Sequence, residues 1–167
     1  TDAQAGVEAL NLGGRIKSYG TVKDYLHVND ANLGGAKSNL YIKEKVDLTV
    51  TTSPDKTDNN LLIQYQHPQP PDNCSLERKI GLCLSGIYRD YVRVYLPKGS
   101  VIVETRGFES KSTTFEDLDH TVVDGFFTVV PMGLAKIQIK YTTPVKAGSK
   151  YILVLQKQPG TGEIPTP

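Results

Sequence analysis

The chain has no tryptophan, one methionine and two cysteines, and its charges nearly cancel, with 19 lysines and arginines against 18 aspartates and glutamates. Each scarcity removes a class of protein. A net charge of +1 gives no electrostatic case for nucleic acid or an anionic membrane surface, so no nucleic-acid partner is expected. No apolar run approaches the roughly 20 residues a membrane helix needs, so no membrane insertion by this segment is expected. The start, Thr1-Asp2-Ala3-Gln4, carries no basic, apolar leader, which leaves any export or anchoring signal to a part of the parent protein outside these residues. At 167 residues the chain can bury a core as one domain without metal or a set of disulfides.

The two cysteines, Cys74 and Cys83, flank Ser75 to Leu82 after the Pro-rich His67-Pro68-Gln69-Pro70-Pro71. As a metal site the pair would need two further ligands, and its spacing is not that of a C-x-x-C knuckle. As a disulfide it would close a ring of about ten residues and contribute roughly 2.5 to 3 kcal/mol on the chain-entropy model. The disulfide is the preferred reading, and with it an oxidising, extracytoplasmic setting.

What the chain does have is nine tyrosines and many β-branched residues, a mix suited to half-buried strands. In Tyr88 to Leu96, Val92, Val94 and Leu96 fall on one face and Tyr91, Arg93 and Tyr95 on the other, the period of a strand with one dry face. Pro97-Lys98-Gly99-Ser100 then reads as a turn, with Val101 to Thr105 returning antiparallel to form a hairpin. Leu40 to Thr51 alternates cleanly except at Glu44, which is placed near an edge, and Leu61, Ile63 and Tyr65 return after a polar loop as a second hairpin. Thr121 to Val130 and Ala135 to Tyr141 are strands, and Tyr151 to Leu155, apolar on both faces, reads as an interior strand. Ala3 to Leu10 is a short helix ended by Asn11-Leu12-Gly13-Gly14. Asp30 to Asn39 reads as loop, and Gly107 to His120 as an acidic surface excursion.

These elements predict an all-β chain, an immunoglobulin-like two-sheet antiparallel β-sandwich with long loops and about eight strands. Residues 1–20 read as an N-terminal extension or linker, 21–158 as the sandwich and 159–167 as a Pro/Gly-rich tail. That tail fits a linker or a domain cut before its last strand, and both readings stay open.

Catalytic motifs are weak. Gly34-Gly35-Ala36-Lys37-Ser38 imitates the end of a phosphate-binding loop, but alanine separates Gly from Lys-Ser and a strand follows. Asp30 and Asn32 sit at positions one and three of an EF-hand-like loop, yet Tyr41 stands where the bidentate carboxylate belongs. Asp30, Asn32 and Asn39 bonding their own turns is the plainer reading. His27, His67 and His120 occupy no metal-binding frame, and Asp119-His120 with a serine is only a remote triad. Glu109, Glu116, Asp117 and Asp119 read as a solvated acidic loop rather than a glycosidase pair. A Lys–Asn crosslink is disfavoured because the last strand has no asparagine. No cofactor, metal or catalytic residue is expected.

The candidate binding residues are Tyr91, Arg93 and Tyr95, an aromatic and cationic row suited to sugar rings or a protein partner, together with Asp30, Asn32, Lys37 and Asn39 of the Gly-rich loop. The alternative for the row is a packed cross-strand ladder with its arginine snorkelling to water.

Asp30-Ala31-Asn32-Leu33-Gly34-Gly35-Ala36-Lys37-Ser38-Asn39 and Tyr88-Arg89-Asp90-Tyr91-Val92-Arg93-Val94-Tyr95-Leu96-Pro97-Lys98-Gly99-Ser100 resemble stretches in the C-terminal region of a family of large, uncharacterised, membrane-anchored bacterial surface proteins. The likeness returns at Gly107-Phe108, Gly125-Phe126-Phe127-Thr128-Val129, Pro131 and Gln156-Lys157-Gln158-Pro159-Gly160. The resemblance implies a β-rich fold at the cell surface and carries no catalytic residues. The expected function is a non-catalytic extracytoplasmic structural or adhesion module. A carbohydrate-binding module using the aromatic face is the alternative, and a cell-envelope enzyme domain a third. Partners would be other cell-surface proteins, envelope glycans, or a second copy docked through an edge strand.

Overall fold

The computed structural model describes residues 2–10, 14–19, 23–72, 84–146 and 150–158. They form a short helix, α1 (Asp2–Ala9), and nine strands: β1 (Asp24–Asn32), β2 (Lys43–Thr52), β3 (Thr57–Gln66), β4 (Tyr88–Pro97), β5 (Val101–Arg106), β6 (Thr113–Asp117), β7 (His120–Val129), β8 (Leu134–Thr143) and β9 (Leu153–Gln156). Two sheets face each other, a five-stranded one in the order β6-β7-β4-β1-β9 and a four-stranded one in the order β2-β3-β8-β5. The all-β sandwich expected from the alternation is the architecture found. The period-2 pattern puts Val92, Val94 and Leu96 of β4 against Leu61 and Ile63 of β3 and Ile137 and Ile139 of β8 in one core. Burying each such side chain stabilises the fold by roughly 1.5–3 kcal/mol.

The expected β4–β5 hairpin does not form. β4 lies inside its sheet with β1 on one edge and β7 on the other, so both its hydrogen-bonding edges are occupied. The turn closed by Ser100 N–H to Pro97 O at 3.1 Å, with Gly99 at a φ of +81°, lifts the chain to the opposite sheet, where β5 pairs with β8. β5 leaves that sheet at Gly107, whose φ is +93° and where a β-carbon would stand 1.9 Å from Lys136 O, so no side chain fits there.

Three further expectations are corrected. β9 is not interior but lies at the sheet edge, parallel to β1. It is apolar on both faces because Leu153 and Leu155 meet the main core and Val154 a second cluster on the sheet's outer side. The acidic excursion contains β6, which pairs with β7 around Leu118 and Asp119 at φ values of 49° and 64°, a two-residue hairpin turn built without the usual Asn-Gly signal. Asp30 to Asn32, read as loop, complete β1 and pair with Val92 to Asp90.

The links β1–β2, β3–β4 and β7–β8 each cross between sheets at one end of the sandwich, the triple-crossing end, β4–β5 and β8–β9 cross at the opposite end, and β5–β6 joins an edge strand of one sheet to an edge strand of the other. The triple-crossing end carries exposed Leu33, Leu40, Ile87 and Met132.

Candidate functional site

Ile87, just before β4, and Arg89, Tyr91 and Arg93 on its outward face follow one another at every second position. Tyr91 stands directly opposite Phe126 of β7, and Arg93 opposite Asp124. The rings of Tyr91 and Phe126 are 4.8 Å apart. The Arg89 guanidinium lies 4.6 Å from the Phe126 ring centre, and that of Arg93 lies 5.5 Å from Tyr91 and 5.6 Å from Phe115. Such cation–π contacts contribute about 0.5–1 kcal/mol each at exposed sites.

Asp124, buried at 4% exposure, anchors this row. It accepts hydrogen bonds from Tyr91 Oη and Thr113 Oγ1 and faces Arg93 Nε at 3.6 Å. The bond to Asp124 is the main reason the Tyr91 hydroxyl is pushed above its usual pKa. Leu33 joins the row through its N–H to Arg89 O at 2.8 Å. The outcome is a half-exposed patch of Leu33, Ile87, Arg89, Tyr91, Phe126 and Arg93 on a rigid sheet.

Tyr95 does not share it. At 5% exposure it packs with Tyr25 and Val122 beneath Ile16 and Tyr19 of the N-terminal segment. His27 and His120 flank it, with ring centres 5.7 and 6.3 Å away. His120 is also stacked 4.4 Å from Tyr25, and burial holds the His27 ring below the usual histidine pKa. His67 lies at the triple-crossing end, bonded to Gly86 O at 2.9 Å and Gln69 N at 3.3 Å.

The Gly-rich loop separates its four candidates. Asn32 Nδ2 donates to Ala36 O at 2.7 Å and to Asn39 Oδ1 at 3.1 Å, and Asn32 Oδ1 accepts from Gly34 N–H at 3.0 Å. These bonds close the turn, while Lys37 is exposed. Asp30 points instead into the core, where its Oδ1 accepts from Tyr65 Oη at 2.8 Å.

Asp30 belongs to a layer of three carboxyls between the sheets. Asp90, diagonal to it across the β1–β4 pair, is fully buried and accepts from Tyr88 Oη at 2.7 Å. Glu44 stands opposite Tyr65 on β2. Among the described residues, Glu44 Oε1 and Asp90 Oδ2 meet neither solvent nor a hydrogen-bond donor. Burial raises all three, most visibly Glu44 and Asp90, each pushed up to about 8, with the charge of Asp30 as the next cause for both.

Two carboxylates of the acidic excursion are engaged at the surface. Glu109 binds Arg89, and Asp119 binds Lys98 and Ser18, while His120 Nδ1 is bonded to the Leu118 carbonyl at 2.8 Å. Among the described residues, no group of three or more histidine, cysteine or acidic side chains is arranged to hold a metal ion, and no helix is long and apolar enough to cross a membrane. Cys74 and Cys83 lie outside the described residues. A shallow depression of about 290 Å³ on the outer face of the four-stranded sheet, lined by Thr49, Asn60, Val103, Lys140 and Thr142 among others, falls at the lower edge of the roughly 300–1,000 Å³ typical of small-molecule sites.

Sequence reasoning missed Arg89, Phe126 and Asp124 because the partners of Tyr91 come from β7, whose register with β4 no local pattern reveals. It also missed Asp90, although Asp90 shares the parity of Tyr88 and Val92 and was therefore detectable as an acid on a core face. Glu44 was visible as a discord in its strand, and β2 is indeed a sheet edge. No family model, no curated protein and no solved structure matches this chain. Among the described residues the fold and the patch define a nine-stranded β-sandwich with an aromatic and arginine face.

Proposed function

We propose that this chain is a non-catalytic module of an extracytoplasmic bacterial surface protein, and that it holds a protein partner through the outer face of its five-stranded sheet. The observation that carries this reading is the patch of Leu33, Ile87, Arg89, Tyr91, Phe126 and Arg93, in which exposed aliphatic side chains adjoin aromatic rings and arginines. Aromatic residues and arginine are enriched at the energetic centres of protein interfaces. The patch is also held in advance by Asp124, which lowers the entropy cost of ordering it on binding. Among the described residues His27, His67 and His120 are buried and the surface carboxylates Glu109 and Asp119 are held by Arg89 and Lys98, which supports a non-catalytic role. The surface address is supported by the family resemblance.

A glycan reading is favoured by one observation, the half-exposed Tyr91 and Phe126 rings, but the arginines already lie over them. Equilibrium titration of the domain against the remainder of its parent's extracellular region and against a panel of envelope polysaccharides distinguishes the two. Binding to the protein that Tyr91→Ala weakens about tenfold or more supports the reading. Saturable binding to a polysaccharide, lost in the same variant, replaces it with carbohydrate recognition.

A further inference from the structure

We propose that Asp30, Glu44 and Asp90 form a proton-binding site that ties the triple-crossing end of the sandwich together while a proton is held and loosens it when the proton leaves. The three carboxyls face a deficit of donors. Tyr65 and Tyr88 offer them one hydroxyl each, and two of their oxygens are buried with no donor among the described residues. A buried acceptor left without a partner keeps its full desolvation penalty, which grows when the group is charged.

Among the described residues the surroundings supply no compensating charge. β3 contributes Tyr65 and His67, and the His67 ring is turned to the backbone at Gly86 and Gln69. β4 contributes Tyr88 beside Asp90 itself. β7 brings Phe127, directly opposite Asp90, and β8 brings Ala135, directly opposite Tyr65. Among the described residues no lysine or arginine pairs with any of the three acids. Asp30 and Asp90 stand diagonally across the β1–β4 pair, and like charges so placed disfavour each other's ionisation. A proton supplies the missing donor and removes a charge.

The site joins the sheets. Asp30 and Asp90 come from the five-stranded sheet and Glu44 and Tyr65 from the four-stranded one, directly below the three crossings. Ionisation places like charges on both sides of the seam, so the sheets repel where they are joined. Linkage sets the sign of the pH dependence. Carboxyls whose folded values are raised bind more protons folded than unfolded, so the stabilisation is complete below about pH 4, declines as pH rises, and is gone above the folded values of about 8.

The test uses the whole chain, its Asp90→Asn variant and its Glu44→Gln variant, with thermal midpoints from pH 5 to pH 9 and ¹³C NMR titration of the side-chain carboxyls. The expected result is a midpoint that falls by roughly 5–10 °C over that range, at least one of the three carboxyls titrating above pH 6, and a flattened profile with a higher midpoint at pH 9 in either variant. If Asp90→Asn does not fold, Glu44→Gln on the edge strand decides. Titration of all three groups below pH 5, or equal pH profiles in wild type and variant, overturns the proposal. So does millimolar calcium that shifts these carbons and removes the pH dependence, which would make the layer a cation site.

Discussion

The two ends of the sandwich bury aspartates in opposite circumstances. At the end opposite the triple crossing Asp24, fully buried, receives Tyr151 Oη at 2.7 Å and Tyr25 N–H at 2.8 Å, one on each carboxyl oxygen. At the triple-crossing end Asp90, equally buried, receives Tyr88 Oη and faces two more acids. Burial raises both groups, but hydrogen bonds from Tyr151 and Tyr25 work against it at Asp24, whereas the neighbouring Asp30 charge adds to it at Asp90. The number of donors, rather than depth, separates an anchoring carboxylate from a proton site.

The largest way to break this comparison is to open the triple-crossing end to water. Phe127, 1% exposed, packs its ring 4.4 Å from Tyr65 and 6.0 Å from Tyr88. Phe127→Ala is expected to cost about 3–5 kcal/mol in urea unfolding at pH 5, and to weaken the pH dependence as water reaches the acids. A smaller effect sharpens the contrast at the other end. Asp24→Ala strands the Tyr25 amide and the Tyr151 hydroxyl and is expected to cost about 2–3 kcal/mol at pH 6, whereas Asp90→Asn at pH 9 stabilises. Equal signs for the two would show that the donors at Asp24 do not matter. The smallest effect belongs to the solvent-exposed surface. Lys98→Ala removes an exposed pair with Asp119 and should leave the thermal midpoint unchanged at physiological salt.

Much of the fold was readable from residue order. Alternation in 42–51, 61–65, 88–96 and 135–141 located four strands and their dry faces, and β-branched and aromatic content located a fifth in 121–130, although Leu40, read as the first dry-face residue, lies exposed in a 3-10 turn before β2. The polar stretch from Ser53 marked the turn that joins β2 to β3, and β3 begins earlier than its apolar residues, at Thr57. The β4–β5 junction misled because a Pro-Lys-Gly-Ser turn is compatible with either a hairpin or a crossing. The choice between them depends on whether β4 still has a free edge, and strands 24–32 and 120–129 had taken both. β6 was hidden because Leu118-Asp119 lacks a turn signature. The binding row was half legible: Tyr91 and Arg93 are in the patch, but the identical outward parity of Tyr95 says nothing of Ile16 and Tyr19, which arrive from the N-terminal segment and cover it.

Residue order by itself determined the fold class, because a period of two with one dry face can be buried only by stacking sheets. It determined the inward direction of Asp90 as well, since parity along a strand is a local property. Tertiary structure alone decided which strands became neighbours, which tyrosine stayed at the surface, and that three acids distant in sequence share one buried layer. Those outcomes depend on edges and faces being occupied by segments far along the chain, and no local pattern carries that information.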